Sequence, residues 1–297
     1  MGVPTTEVAV LQCADCSGSL AHGDAQSLHC ANCARVYETD GPFLNLLPRR
    51  LESEKVAENT VFAPGSRELE RARGRWWRSI VGRLDILRFA DEILPALPVG
   101  RFLELGGETC YAAALYKAAH PDAVTYATDV SPNTLRFVAS KVTPLFGATP
   151  DFFAAVDAEH LPFADGTIQV IFGQSLLHHL PHPDQALREC RRVLHPNGVA
   201  VFIDHSVPRH WRRLFTPAAR QRTGEYGIQE KLYGVRHWRR IIRQAGGLTT
   251  ELTFYRNPAY QRSPLFALGG ELVQRLPLAI AVRFFPVGVM VVIRAVA

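Results

Sequence analysis

The feature that most narrows the folds open to this chain lies between Arg101 and Asp204, where short apolar runs alternate with segments whose apolar residues recur at helical spacing. A continuous apolar run of strand length suits a strand covered on both faces, and a helical crossover is what supplies that cover. The alternation therefore predicts parallel βαβ units. Arg101–Gly106 reads as the first strand and Thr109–Ala119 as the helix after it; Val124–Asp129 is the second strand, followed by Ser131 as an N-cap and Pro132 at the first helical position. Asp151–Asp157 and Ile168–Gly173 are the third and fourth strands. The helix Pro183–Leu194 gathers Ala186, Leu187, Cys190, Val193 and Leu194 on one face, and His195–Gly198 turns into a fifth strand, Val199–Asp204.

Beyond Asp204 the chain becomes basic and aromatic. A further helix places Val235, Trp238, Ile241, Ile242 and Ala245 at helical spacing, and Gly246-Gly247 ends it. Leu248–Tyr255 and Gly288–Val296 read as strands six and seven, with an insert over 256–286 between them. The expected fold is α/β, a Rossmann-like, seven-stranded, doubly wound sheet spanning 98–297. The apolar C-terminal stretch is cut by Arg283, Pro286 and Arg294 below the roughly 18 unbroken residues of a membrane span, so it is expected to be a buried strand and no transmembrane span is expected.

Two smaller regions precede that sheet. Residues 1–48 hold four of the six cysteines as Cys13-x-x-Cys16 and Cys30-x-x-Cys33, two tight knuckles around a Gly/Ser/Asp-rich segment. Four thiolates so spaced suit tetrahedral zinc, and they leave no open coordination position, which makes the expected ion structural. So small a unit would draw much of its stability from the metal. Residues 49–97 read as a polar helical linker and lid, with Leu69, Trp76, Trp77, Ile80, Leu84, Leu87 and Ile93 as its apolar positions, closed by Pro95 and Pro98.

A nucleoside ligand in such a sheet lies at the C-terminal strand ends, where the turn after strand one meets it by backbone and an acid after strand two grips ribose hydroxyls. Glu104-Leu105-Gly106-Gly107 and Asp129 hold those places. With the blocks Asp157-Ala158, Leu161-Pro162-Phe163-Ala164-Asp165, Val170–Leu180 and Arg192–Gly198, occurring in that order, the stretch Arg101–Asp204 closely resembles class I S-adenosylmethionine-dependent methyltransferases of the methyltransferase-11 type. The N-terminal unit resembles the zinc-ribbon module found ahead of some of these enzymes, including guanine methyltransferases acting on ribosomal RNA.

The resemblance implies an enzyme that uses S-adenosylmethionine. It puts Glu104, Gly106 and Gly107 beside the methionine part, Asp129 and its neighbour Val130 at the ribose, Asp157 and Ala158 at the adenine, and Gln174 and Ser175 near the sulfonium. One departure bears on the chemistry. The family's G-x-G-x-G loop reads Gly106-Gly107-Glu108-Thr109-Cys110 here, so side chains stand where two glycines belong, and Glu108 either pairs with the methionine amino group or repels its carboxylate. Gln169 replaces the usual aspartate before strand four.

Methyl transfer is an in-line displacement, so the enzyme aligns the acceptor and, for a weakly acidic one, removes a proton. The candidate bases are His178, His179 and His205, with Tyr226 and Tyr233 in the substrate lid expected from the residues after strand five. The expected partner is a small-molecule acceptor. The formal charge of +5 is local, and Trp211, Arg212 and Arg213 with Trp238, Arg239 and Arg240 would suit an anionic small molecule, RNA, or merely a solvated helix face with its tryptophans inside. An RNA-base methyltransferase guided by the zinc unit, and a relative with lost or altered chemistry caused by Glu108, therefore stand beside the small-molecule reading. The N-terminus lacks the charged start, apolar core and cleavage site of a secretory signal, and a cytoplasmic location is expected.

Overall fold

Strands form where the apolar runs lie, and helices cover both faces of the sheet they build. A computed structural model describes residues 3–24, 26–56, 80–141, 143–212, 231–246, 250–255 and 275–295. The central strands are β5 (Phe102–Leu105), β6 (Thr125–Asp129), β7 (Phe152–Ala155), β8 (Ile168–Gln174), β9 (Leu194–Ser206), β10 (Thr250–Tyr255) and β11 (Val287–Arg294). Their order is β7-β6-β5-β8-β9-β11-β10; the first five are parallel, and β11 runs antiparallel between β9 and β10. This is the Rossmann-like doubly wound sheet expected from the alternation. Winding reverses between β5 and β8, which opens a crevice at their C-terminal ends. Only the second half of the apolar C-terminal run is the expected buried strand, β11; its first half, Leu278–Phe284, is a short helix that leaves Leu278, Ile280 and Phe284 exposed, and no helix among the described residues is long and apolar enough to cross a membrane.

Period two divides the core between the faces. Phe102 and Phe172 point into one layer with Tyr111, Tyr116 and Phe89, whereas Leu103, Leu105 and Ile171 point into the other with Leu187, Ile241 and Trp238. The first layer is closed by α2 (Ile80–Arg88) and its continuation through Phe89, together with α3 (Tyr111–Ala119) and α4 (Pro132–Lys141); α5 (Pro183–Val193) and α6 (Val235–Gln244) contribute to the second. The Ser131 cap forms as expected, its Oγ accepting the Thr134 N–H at 3.2 Å. Gln169 accepts the Arg101 N–H at 2.7 Å, a purely structural bond between β5 and β8.

The sheet does not stop at its seventh strand. Strands β1 (Leu20–His22), β2 (Ser27–Cys30), β3 (Val36–Asp40) and β4 (Phe43–Asn45) continue it in sequence, and β4 pairs in parallel with β7. Although a small separate unit is expected before residue 48, the hydrogen-bond ladder and the core run across it. Leu11, Tyr37, Leu44 and Leu46 share one apolar cluster with Tyr126 and Phe163. Glu7, buried on the short helix α1 (Thr5–Val8), takes Arg101 Nη2 at 2.9 Å and the Tyr126 hydroxyl at 2.6 Å. The linker's residues 57–79, which include Leu69, Trp76 and Trp77, lie outside the described residues, as do 256–274 of the insert.

Candidate functional site

The loop from β5 to α3 is built around left-handed backbone. Gly106 has φ +60°, which favours glycine, and a Cβ there would meet Leu176 Cδ1 at 2.7 Å, so that the leucine tip would have to shift. Glu108 (φ 37°) and Cys110 (φ 52°) keep the left-handed conformation at the two positions where side chains replace glycine. The loop is pinned by Gly107 N–H to Thr128 O at 2.8 Å and by Cys110 N–H to Gly107 O at 2.7 Å. Asp129, at the tip of β6, accepts the Ser131 N–H at 2.9 Å and the Glu108 N–H at 3.3 Å, so one carboxylate organises both loops.

Glu104 turns away from the crevice. Its Oε2 accepts the Ala113 N–H at 2.7 Å in the first turn of α3, and burial, offset in part by these backbone bonds, pushes its pKa up to about 8. Asp157 accepts the Glu159 N–H at 3.0 Å and the Lys55 ammonium at 2.8 Å; Lys55 also reaches Glu159 Oε2 at 2.7 Å. Lys55 is 6% exposed and comes from the linker.

A cleft at the C-terminal strand ends is lined by Leu105, Gly106, Asp129, Val130, Asp157, Ala158, Leu176 and His179, with Glu54 and Lys55 across it. The structure thus brings together five of the ten expected cofactor residues: Gly106, Asp129, Val130, Asp157 and Ala158. Glu104, Gly107, Glu108, Gln174 and Ser175 are not part of that wall. Gln174 instead bonds the Tyr111 hydroxyl and Asp85 of α2, whose carboxyl is pushed up to about 6 by burial. Ser175 follows with φ 50°, its N–H on Ile203 O at 2.8 Å. Glu54, Lys55 and Asp85 carried no signal in the sequence, because isolated charges in a polar helical stretch read as a solvated face.

The three candidate bases converge on Asp204 at the end of β9. His178 Nδ1 lies 2.8 Å and His205 Nδ1 3.3 Å from Asp204 Oδ1, and the His178 ring packs on those of His179 and His205 at 4.1 and 4.2 Å. His178 is buried, His179 faces the cleft, and the His205 side chain is 24% exposed. Burial raises the pKa of Asp204, and His205 is foremost among the groups that oppose the shift. Tyr233 packs edge-on against Trp238; Tyr226 and Arg213 lie outside the described residues. Trp238 is fully buried, with its indole N–H on His205 O, which removes it from any base-stacking surface.

In the N-terminal unit the four sulfurs of Cys13, Cys16, Cys30 and Cys33 all lie within 4.8 Å of one another, with Cys13–Cys33 at 3.6 Å and Cys16–Cys30 at 3.5 Å. Zn–S bonds of about 2.3 Å in a tetrahedron separate sulfurs by about 3.8 Å. The knuckles are conformational twins: Ser17 and Ala34, each following a second cysteine, both have φ 54° and return an N–H to the first cysteine's carbonyl. The donor set fits a tetrahedral thiophilic ion.

Sheet order and crevice together define the class: a Rossmann-like, doubly wound α/β fold with a cleft at the C-terminal ends of β5, β6 and β7. Residues 103–202 match a family model described as a methyltransferase domain. Over 126 residues the chain is 35% identical to the malonyl-[acyl-carrier protein] O-methyltransferase of Laribacter hongkongensis, covering 40% of this chain and 39% of that one. Over 109 residues it is 32% identical to a ubiquinone/menaquinone biosynthesis C-methyltransferase of Cupriavidus pinatubonensis, covering 37% and 43%. The matches span about two-fifths of these relatives' own lengths. Among solved structures, a Haemonchus contortus phosphoethanolamine N-methyltransferase, in complex with phosphomonomethylethanolamine and S-adenosylhomocysteine, superposes with a TM-score of 0.56 at 12% identity, over 84% of this chain and 61% of that one. A chain of the complex between the Haloferax volcanii Trm112 methyltransferase activator and a methyltransferase gives 0.53 at 15%, over 82% and 98%.

Proposed function

We propose that this protein transfers the methyl group of S-adenosylmethionine to a small-molecule acceptor. The observation that carries the reading is the cleft, where Gly106, Asp129, Val130, Asp157 and Ala158, from three different strand ends, share one wall. Asp129 and Asp157 would accept from ribose and adenine, whereas Gln174, at the next strand end, is engaged by Tyr111 and Asp85. When bound, the cofactor supplies an electrophilic methyl group and a good leaving group; the protein's part is alignment and proton removal.

Of the three candidate bases, His179 lines the cleft and His205 lies partly exposed beside Asp204. Asp204 engages the Nδ1 side of His205, which leaves Nε2 for an acceptor proton, while His178 is too deep to reach one. The two relatives are named for malonyl-[acyl-carrier protein] and for ubiquinone/menaquinone biosynthesis, neither a nucleic acid, and the buried Trp238 takes away part of the surface that would suit RNA. Zinc in the four-cysteine site is proposed as a structural ion.

Isothermal titration with S-adenosylmethionine tests the reading. Binding in the micromolar range is expected, weakened at least tenfold by Asp129→Asn; no heat up to millimolar cofactor would sink it. A second reading, altered chemistry in the same cleft, draws on one observation: Glu108 and Cys110 hold left-handed backbone that glycine would adopt without strain.

A further inference from the structure

The cleft has a second wall that owes nothing to the strands. Glu54 and Lys55 enter it from the linker and face Asp129 and Asp157. A buried ammonium needs charged partners, and Lys55 has two, with Nζ at 2.8 Å from Asp157 Oδ2 and 2.7 Å from Glu159 Oε2. An ammonium has three N–H groups, so two carboxylates leave one donor over. Glu159 is fully occupied by the protein: besides Lys55 it accepts the His182 N–H on its other oxygen. Asp157 Oδ2 is shared among Lys55, His160 Nδ1 at 3.3 Å and the open cleft. Beside them, Glu54 Oε2 is buried without a hydrogen-bond partner among the described residues. A buried carboxylate oxygen is costly to leave unsatisfied, which marks this wall as shaped for a donor brought by a ligand.

The cleft thus offers an acceptor, Asp157 Oδ2, directly beside a donor, Lys55 Nζ. Adenine carries the complementary pair on adjacent atoms of its six-membered ring, an amino donor at N6 next to an acceptor at N1. Hypoxanthine carries the reverse, a carbonyl acceptor next to an N–H donor. Building on the methyltransferase reading, we infer that Lys55 and Asp157 together read the amino-purine edge of the cofactor, and that Glu54 accepts a hydroxyl or amino donor from its nucleoside. Lys55 is then a specificity-determining residue supplied by the segment ahead of the sheet.

The experiment is titration of the full-length protein with S-adenosylhomocysteine and with S-inosylhomocysteine, its hypoxanthine counterpart. The wild type is expected to favour the adenine compound at least tenfold. Lys55→Met should weaken S-adenosylhomocysteine about tenfold and shrink the preference to a few-fold, whereas Glu54→Gln should weaken both compounds by a similar factor and leave the preference intact. Retention of the full preference by Lys55→Met overturns the role of Lys55, and unchanged affinity in Glu54→Gln overturns that of Glu54. Should Lys55→Met fail to fold, the double variant Lys55→Met/Glu159→Gln removes one buried charge of each sign, and the same ratio is read from it. If the wild type binds neither compound, it is the methyltransferase reading that fails.

Discussion

Gly106, Glu108 and Cys110 share a left-handed backbone, and two of them carry a Cβ that disfavours it. Such a residue costs about 1–2 kcal/mol relative to right-handed geometry, and glycine returns part of that as lost chain entropy. Glu108→Gly is therefore expected to stabilise the protein by up to about 1 kcal/mol in urea unfolding. The same variant divides the two readings of the loop: tighter cofactor binding on substitution means that the glutamate obstructs the site, and weaker binding means that it is part of it. Gly106→Ala, by contrast, strains a left-handed backbone and pushes the Leu176 tip along the cleft wall, and should weaken cofactor binding.

Glu104 gives a second prediction at this scale. Its pKa in the fold, about 8, lies above the 4.5 of an exposed glutamate, because burial disfavours its charge. The folded state holds that proton more tightly than the unfolded chain does. Stability from this group is complete below about pH 4.5 and is lost as pH rises toward 8. Glu104→Gln, which keeps an oxygen for the Ala113 N–H, should remove this slope, so that the variant gains on the wild type as pH rises from 5 to 8. Denaturant midpoints measured across that range check it; parallel curves would show that Glu104 is already charged in the fold.

At the scale of elements, the edge of the sheet joins the proposed metal site to the proposed cofactor site. The knuckle cysteines Cys13 and Cys30 are buried in the same cluster as Leu44 of β4, and β4 pairs with β7, which leads into Asp157. A parallel pair at an edge depends on what holds its outer strand. Chelating the proposed zinc, or Cys16→Ser, is expected to raise amide exchange in β4 and β7 before β8 or β9 responds. If only residues 13–37 respond, the knuckles are decoupled from the sheet.

For the molecule as a whole, one core serves both parts. The contacts of Glu7 with Arg101 and Tyr126, the bridge between Leu11 and Phe163, and the pairing of β4 with β7 tie the first 48 residues to the strands that carry the cleft. Calorimetry of the zinc-loaded protein should give a single transition for both. Two separated transitions would mean that the N-terminal unit folds as a body of its own.

The sequence by itself determined the strands and helices of the doubly wound sheet, because apolar periodicity reports directly which residues must be covered. It also placed the cysteine quartet together and the acids Asp129 and Asp157 at strand ends, through spacing along the chain and the apolar pattern. The tertiary structure alone decided what faces what. Glu104 sits at a strand end as a cofactor residue would, yet it is spent on the first turn of α3; Trp238 was as well suited to a surface as to the core until α6 packed it away. Lys55 was invisible because its partners lie more than a hundred residues along the chain, and a charge in a polar helix becomes informative only when burial forces it to find them. The N-terminal strands joined the main sheet for the same reason: pairing across an edge depends on which backbone is left open beside it, and no local pattern records that.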